Sequence, residues 1–258
     1  MVGLHFLIRF RSPPRAGART NSWVPSDTLA AALGWAAGEL GDYGAYADLL
    51  LSGGLVVTSV FPRLGSFLFW PRLENGGLRL TCRGARSDWT GHRRRCAPVN
   101  RLTGEADVFW WEAGLWRAGG IPSLQAHFVA AIRSEAAECL KAWVQVFADA
   151  GLGGGRSAGA GGFEVEEIRP GPVPADGGVL WSVAVPDGAA GFDPARVPWV
   201  RREGYHDGSP FGRVNLRKVG IWAVLEGVRV GPGFRGKVVP LDGDRVLYCG
   251  AAFAGRPS

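Results

Sequence analysis

Two stretches of this chain read as helices from apolar residues at helical spacing, and both fall within its first 150 residues. The first opens at Ser26 or Asp27, residue types that cap helix N-termini, and runs to about Leu40 with Leu29, Leu33, Ala36 and Ala37 on its inner side. The second follows Pro122-Ser123 and ends at Ala150. Leu124, Phe128, Ile132, Leu140, Trp143 and Phe147 form its stripe, with Cys139 and Val146 filling it. Several segments around them read as strands. Leu4, Phe6, Ile8 and Phe10 alternate with His5, Leu7 and Arg9, a strand with one buried face that leaves His5 on the exposed one. From Leu55 to Leu73 short apolar runs are broken by Pro62, Gly65 and Pro71. Asp107 to Leu115 has strand composition again, and another strand begins at Phe163. The order strand, helix, strands, helix, strand predicts an α+β sheet domain of ferredoxin-like type.

Past Val165 the pattern changes. Ile168 to Pro174 is linker-like, and the rest is short strands, such as Val179–Val185 and Leu216–Leu225, separated by Pro/Gly turns. Two units are therefore expected. Residues 1–165 form the first, with a basic insertion at about 83–106 and a glycine-rich loop at 151–162; residues 166–258 form a strand-rich companion. The 258 residues suffice for both cores. No span reaches the roughly 18 apolar residues of a membrane helix. The first residues lack the basic-then-apolar order of a signal peptide, and a cytoplasmic location is expected. Cys82, His92 and Cys96 lack the fourth ligand and tight pairing of a structural zinc site, so no metal or cofactor is expected.

The net charge of +6 suits an anionic partner, and arginine greatly outnumbers lysine. Its planar fork donates two parallel hydrogen bonds to a phosphate. The insertion concentrates this charge in Arg83, Arg86, Arg93, Arg94, Arg95 and Arg101, with Trp89 nearby as a surface on which a base could stack. The loop Gly151–Gly162 is not a phosphate loop of the nucleotide-binding kind. Gly151 and Gly155 are one residue too close, Arg156 replaces Lys, and the loop follows a helix rather than opening one. A dinucleotide fingerprint fails for the same reason, because the nearby helix end carries the negative pole. What remains is a loop whose glycines permit close backbone approach, with Arg156 and Ser157 as donors.

These features together resemble the RAMP superfamily of CRISPR-associated proteins, and more narrowly the fourth Csm subunit of type III-A complexes, which is similar to the Cas-five lineage. Ser26-Asp27-Thr28-Leu29 opens the first helix, and Ser59-Val-Phe-Pro62 is followed by Phe69-Trp-Pro71. Asn100-Arg101-Leu-Thr-Gly104 precedes the aromatic strand, Gly151-Leu-Gly-Gly-Gly-Arg-Ser157 follows the second helix, and Arg217-Lys218 lies upstream of Glu226-Gly227. Gly155 stands where the family usually has Lys, Ala158 where it has a second Ser, and Val228 where it has Ser.

The resemblance implies tandem ferredoxin-like (RRM-type) RAMP domains, the second degenerate, with a thumb-like basic insertion. It implies a non-catalytic subunit that grips the 5′ tag of the crRNA and docks the large polymerase-cyclase subunit beside a backbone RAMP subunit. By that resemblance the RNA-binding residues are Ser26, Arg93, Arg94, Arg95, Gly153, Gly154, Gly155, Arg156, Ser157, Gly159, Gly161, Arg217 and Lys218. The alternative is a repeat-cleaving RAMP endoribonuclease using His5, for which no partner His, Tyr or Lys is evident in the sequence; His92, His127 and His206 show no dyad spacing. Trp110, Trp111, Trp116, Trp143 and Trp222 are read as core.

Overall fold

In a computed structural model the described residues are all except 13–14, 17–22, 75–76, 83–84, 97–108, 119–120, 154–159, 189, 203–219, 242–245 and 256–258. The chain opens with β1 (Val2–Phe10), the short β2 (Arg15–Ala16), α1 (Ser26–Glu39) and α2 (Tyr43–Leu51). Then come β3 (Leu55–Val57), β4 (Phe61–Leu64), β5 (Phe67–Leu68), β6 (Trp70–Glu74), β7 (Gly77–Cys82), β8 (Ala85–Cys96), β9 (Phe109–Ala118), β10 (Ile121–Ser123) and β11 (Gln125–Ile132). A 3₁₀ turn at Ser134–Ala136 leads into α3 (Ala137–Ala150), followed by β12 (Phe163–Pro170). Short strands complete the chain: β13 (Gly178–Leu180), β14 (Trp199–Arg202), β15 (Ile221–Val224), β16 (Arg229–Val230), β17 (Lys237–Leu241), β18 (Val246–Gly250) and β19 (Ala254–Gly255). None of the described helices is long and apolar enough to cross a membrane.

The central sheet has the order β12-β1-β11-β4-β5, with β3 also paired to β11. All its neighbours run antiparallel. One face is the α/β core: Phe6 stacks on Phe128, Phe163 meets Phe10 and Phe147, and Leu29, Leu33, Leu140 and Trp143 are fully buried in the same cluster. A second sheet, β10-β9-β8-β7-β6, is a meander built mostly on the long β8–β9 hairpin.

Three expectations need correction. The segment Leu124–Ile132 is not the start of the second helix but strand β11, and only Ala137–Ala150 is helical. Leu124, Phe128 and Ile132 are four apart, a spacing that is even as well as nearly helical, so it also places them on one face of a strand. The strand lies between β1 and β3/β4 with both faces covered, and it lost the alternation that would have identified it. Second, β12 continues through Ile168 to Pro170, where a linker was expected. Third, the face of β1 expected to meet solvent is covered, His5 and Leu7 being buried there as well. Trp70 and Trp181 stack at 3.9 Å beneath that face, and Trp181 packs on Phe253, so the C-terminal strands serve as its cover.

Candidate nucleic-acid interface

The glycine loop begins where α3 ends. Gly151 takes a positive φ of 90° and its amide donates to the Phe147 carbonyl at 2.8 Å, a glycine helix terminus. The Leu152 amide then donates to the Gly161 carbonyl, closing the two limbs of the loop into a neck. A Cβ on Gly151 would lie 2.4 Å from the Ala160 carbonyl oxygen, and one on Gly161 would lie 2.1 Å from that of Leu152. Gly161 thus serves the chain's own close approach rather than a partner's, which corrects its expected place among the RNA contacts. Gly153, half-buried with φ at 92°, leads out of the neck. Gly154, Gly155, Arg156, Ser157 and Gly159 lie outside the described residues. Replacing Gly161 with Ala will destabilise the chain by about 1–3 kcal/mol, from the positive φ (74°) and the backbone clash together. A urea melt unchanged to within about 0.5 kcal/mol would refute the neck.

The neck itself is not basic. Arg11 lies 3.3 Å from Asp149 and 3.4 Å from Glu164, and its amide donates to Gly162 O. The arginine run stands elsewhere, and it is not a loop: Arg93, Arg94 and Arg95 belong to β8 and pair in register with Glu112, Trp111 and Trp110 of β9. The insertion expected from charge alone is, over Ala85–Cys96, a regular strand, paired with β7 over Ala85–Ser87 and with β9 from Ser87 to Cys96. Arg217 and Lys218 lie outside the described residues.

Ser26 was expected at the RNA. Its side chain is 1% exposed, its Oγ accepts from the Val183 amide, and its own amide donates to Ser59 Oγ at 2.8 Å. Pro25, not Ser26, occupies the cap position of α1. Two other motif residues, Ser59 and Glu226, meet at the same place. Ser59 Oγ donates to Glu226 Oε1, which also accepts from Trp23 Nε1 at 3.1 Å. Burial pushes the Glu226 carboxyl up, and its Oε2 has no hydrogen-bond partner among the described residues. Beside it Arg202 forks onto Asp27, Nε to Oδ2 at 2.8 Å and Nη2 to Oδ1 at 2.9 Å. Motif residues dispersed through the sequence therefore form one packed junction between the start of α1, the strand β4 edge and the C-terminal strands.

The sequence also missed a pair. His5 Nε2 lies 3.2 Å from His127 Nδ1, and His127 Nε2 lies 3.1 Å from the Phe69 carbonyl oxygen. That carbonyl can only accept, so His127 carries its proton on Nε2 and His5 Nε2–H donates to the free Nδ1. The β1–β11 register explains the contact, since Leu7 faces His127 and His5 faces Val129. Once Leu124–Ile132 is taken as a strand, that parity is readable from sequence. Burial, then Arg169 and Arg63, lowers His5 to about 4. His127 is held well below its usual value by burial, then by His5. Arg63, itself buried, is ion-paired to Glu166 and donates to the carbonyls of Ala126 and Gly65. The two imidazoles are neutral and sealed under Trp70, so a phosphodiester cannot meet them without opening the core. Among the described residues no cluster of three His, Cys, Asp or Glu is placed to hold a metal.

No protein-family model matches the sequence, and no curated protein matches it. Solved structures do. A Csm3-Csm4 subcomplex of the type III-A CRISPR-Cas interference complex matches with a TM-score of 0.65 at 12% identity, over 98% of this chain and 98% of that one. A Csm1-Csm4 cassette with AMPPNP matches at 0.59 and 16% identity, over 100% and 99%. The cassette with cA4 matches at 0.58 and 15%, over 99% of each. The chain has the Csm4 fold.

Proposed function

We propose that this chain is a non-catalytic, crRNA-binding subunit of a type III-A CRISPR effector complex. It holds the 5′ tag of the crRNA and docks against the large polymerase-cyclase subunit and a backbone RAMP subunit. The observation that carries this reading is likeness along the whole chain to Csm4 structures solved together with Csm1 and with Csm3. The element order supports a ferredoxin-like first unit that extends past 165 to the end of β12 at Pro170, with the strand-rich remainder proposed as its degenerate companion. In the first, β1-α1-β3-β11-α3-β12 takes the spatial order β12-β1-β11-β3, the arrangement of a split βαβ pair. The tag contacts fall on Gly153 to Gly159 with Arg156 and Ser157, on Arg93, Arg94 and Arg95, and on Arg217 and Lys218. Ser26 contributes by holding the start of α1. The sealed histidine pair supports the non-catalytic role, and a cytoplasmic complex is the setting.

The test is reconstitution with the partner subunits and sequencing of the bound RNA 5′ ends, followed by titration of a tag-bearing RNA. Arg156→Ala will cost about 1.5–3 kcal/mol of tag affinity if the phosphate it meets is desolvated. Replacing Arg93, Arg94 and Arg95 together will reduce the salt slope by about 0.7 log units for each phosphate no longer neutralised. Tag affinity and salt slope unchanged in both variants would remove the interface. No RNA is cleaved, with or without divalent metal; metal-independent cleavage abolished by His5→Ala would replace this reading with the endoribonuclease.

A further inference from the structure

The segment Arg11–Ala16 is tied at its two ends to the two elements on which most of the expected RNA contacts fall. Its first residues meet the glycine loop. The Arg11 amide donates to the Gly162 carbonyl at 2.7 Å, and the Gly161 amide donates to Ser12 Oγ at 3.2 Å. The Arg11 side chain reaches Asp149 on α3 and Glu164 on β12, the elements that lead into and out of the loop. Its last residues meet the arginine hairpin. Arg15 and Ala16 are β2, in register with Ala113 and Glu112 of β9, and Glu112 in turn pairs with Arg93 of β8. On that edge of β9, β10 pairs only over Trp116–Ala118. Among the described residues, β2 alone extends the pairing toward the end of the hairpin that carries the arginines.

Chain length turns these ties into a distance. The four steps from Ser12 to Ala16 span at most about 14 Å, whatever path residues 13–14 take. Paired strands lie about 5 Å apart, so the backbone of Arg93 lies within about 25 Å of Ser12, which touches the neck. One single-stranded RNA held over about 4–16 nucleotides can cross that distance. We infer that Arg11–Ala16 is a strap that joins the glycine loop and the arginine hairpin into one RNA interface, with Ser12 as the positioning residue for the loop. The returning limb of the neck, Ala160-Gly161-Gly162, offers little side chain by which to be held, and the Ser12 hydroxyl holds it by its main chain. A strand bound at the loop then meets the arginines at a fixed spacing, and the second contact forms at high effective concentration.

This inference rests on the RNA-binding reading above, and the experiment separates the two. The probe is the guide RNA that copurifies with the reconstituted complex, remade by synthesis once its 5′ end has been sequenced. Affinity is measured for the full chain with its partner subunits. Ser12→Ala will weaken binding about two- to tenfold, and Ser12→Thr, which keeps the hydroxyl oxygen, by less than about twofold. The deciding readout is coupling. Replacing Arg93, Arg94 and Arg95 together will cost at least about threefold less affinity in the Ser12→Ala background than in the parent. Inserting about six Gly/Ser residues between Ser12 and Arg15 keeps both ties but lifts the length limit, and it will reduce the cost of the arginine replacement in the same way. If the losses simply multiply in both backgrounds, the strap is overturned and the RNA reading stands. If Ser12→Ala lowers the urea midpoint and the affinity together while the losses multiply, Ser12 is a structural tie and the proposal is wrong. A parent complex that carries and binds no RNA overturns the RNA reading and the strap with it.

Discussion

Arg202→Ala will destabilise the folded chain by about 3–5 kcal/mol, toward the lower end of that range. Asp27 has 9% of its side chain exposed and Arg202 has 16%, so removing the cation leaves a carboxylate with little water to solvate it. Two forked hydrogen bonds disappear at once. The Thr28 amide and the positive end of α1 still support Asp27, which is why the cost stays near the lower bound. A second variant isolates the cause. Asp27→Asn combined with Arg202→Ala removes the stranded charge and will recover part of the loss. Urea midpoints of parent, single and double variants measure the coupling. If Arg202→Ala lies within about 1 kcal/mol of the parent, the fork is a surface ion pair and the junction is held by packing alone.

Acid will also unfold this chain earlier than its carboxylates require. In the unfolded chain both imidazoles titrate near their ordinary value of about 6.5. In the fold His5 stays neutral down to about 4, and His127 is held neutral well below its usual value, each mainly by burial. Between those limits the unfolded state binds more protons, so folding stability is complete above about pH 6.5 and falls as pH drops toward 4. His5 alone accounts for about 2 kcal/mol lost between pH 7.5 and pH 5, and His127 adds to it. The geometry gives the same sign. A proton on His127 Nδ1 would face the His5 N–H, and Arg63 and Arg169 bring further positive charge. His127→Gln keeps a donor for the Phe69 carbonyl and an acceptor for His5 but does not titrate in this range, so its stability will vary less with pH. Urea midpoints at pH 7.5 and pH 5 decide the matter: an unchanged parent would mean the pair is hydrated.

Much of the framework was readable in the residues. Leu29, Leu33, Ala36 and Ala37 mark the buried side of α1 in the sequence as they do in the fold, and Leu140, Trp143 and Phe147 do so for α3. Helical periodicity survives whatever the helix packs on, because one stripe must face the core and the rest face water. Leu4, Phe6, Ile8 and Phe10 likewise announced β1, and Gly151 announced the end of α3. The coarse order strand, helix, strands, helix, strand followed from these local signals, while α2 went unread and β11 was taken for the start of a helix.

Tertiary structure decided the rest. β11 is buried on both faces, so it carries no polar alternation, and its four-residue spacing fits helix and strand equally. Whether His5 faces water depended on a cover supplied by Trp70 and by Trp181, the latter far along the chain. The same holds for Ser26 and Ser59: the Ser26 hydroxyl accepts from Val183, and the Ser59 hydroxyl, which accepts from the Ser26 amide, finds an acceptor in Glu226, both partners arriving from far along the chain. Trp222 errs in the opposite direction: strand composition predicts burial, yet on the two-stranded ribbon of β14 and β15 it is 58% exposed. Local pattern fixes which face of an element is apolar or which turn a glycine makes. What covers a face is settled by residues a hundred or more positions away, and that part of the interaction is absent from any local window of sequence.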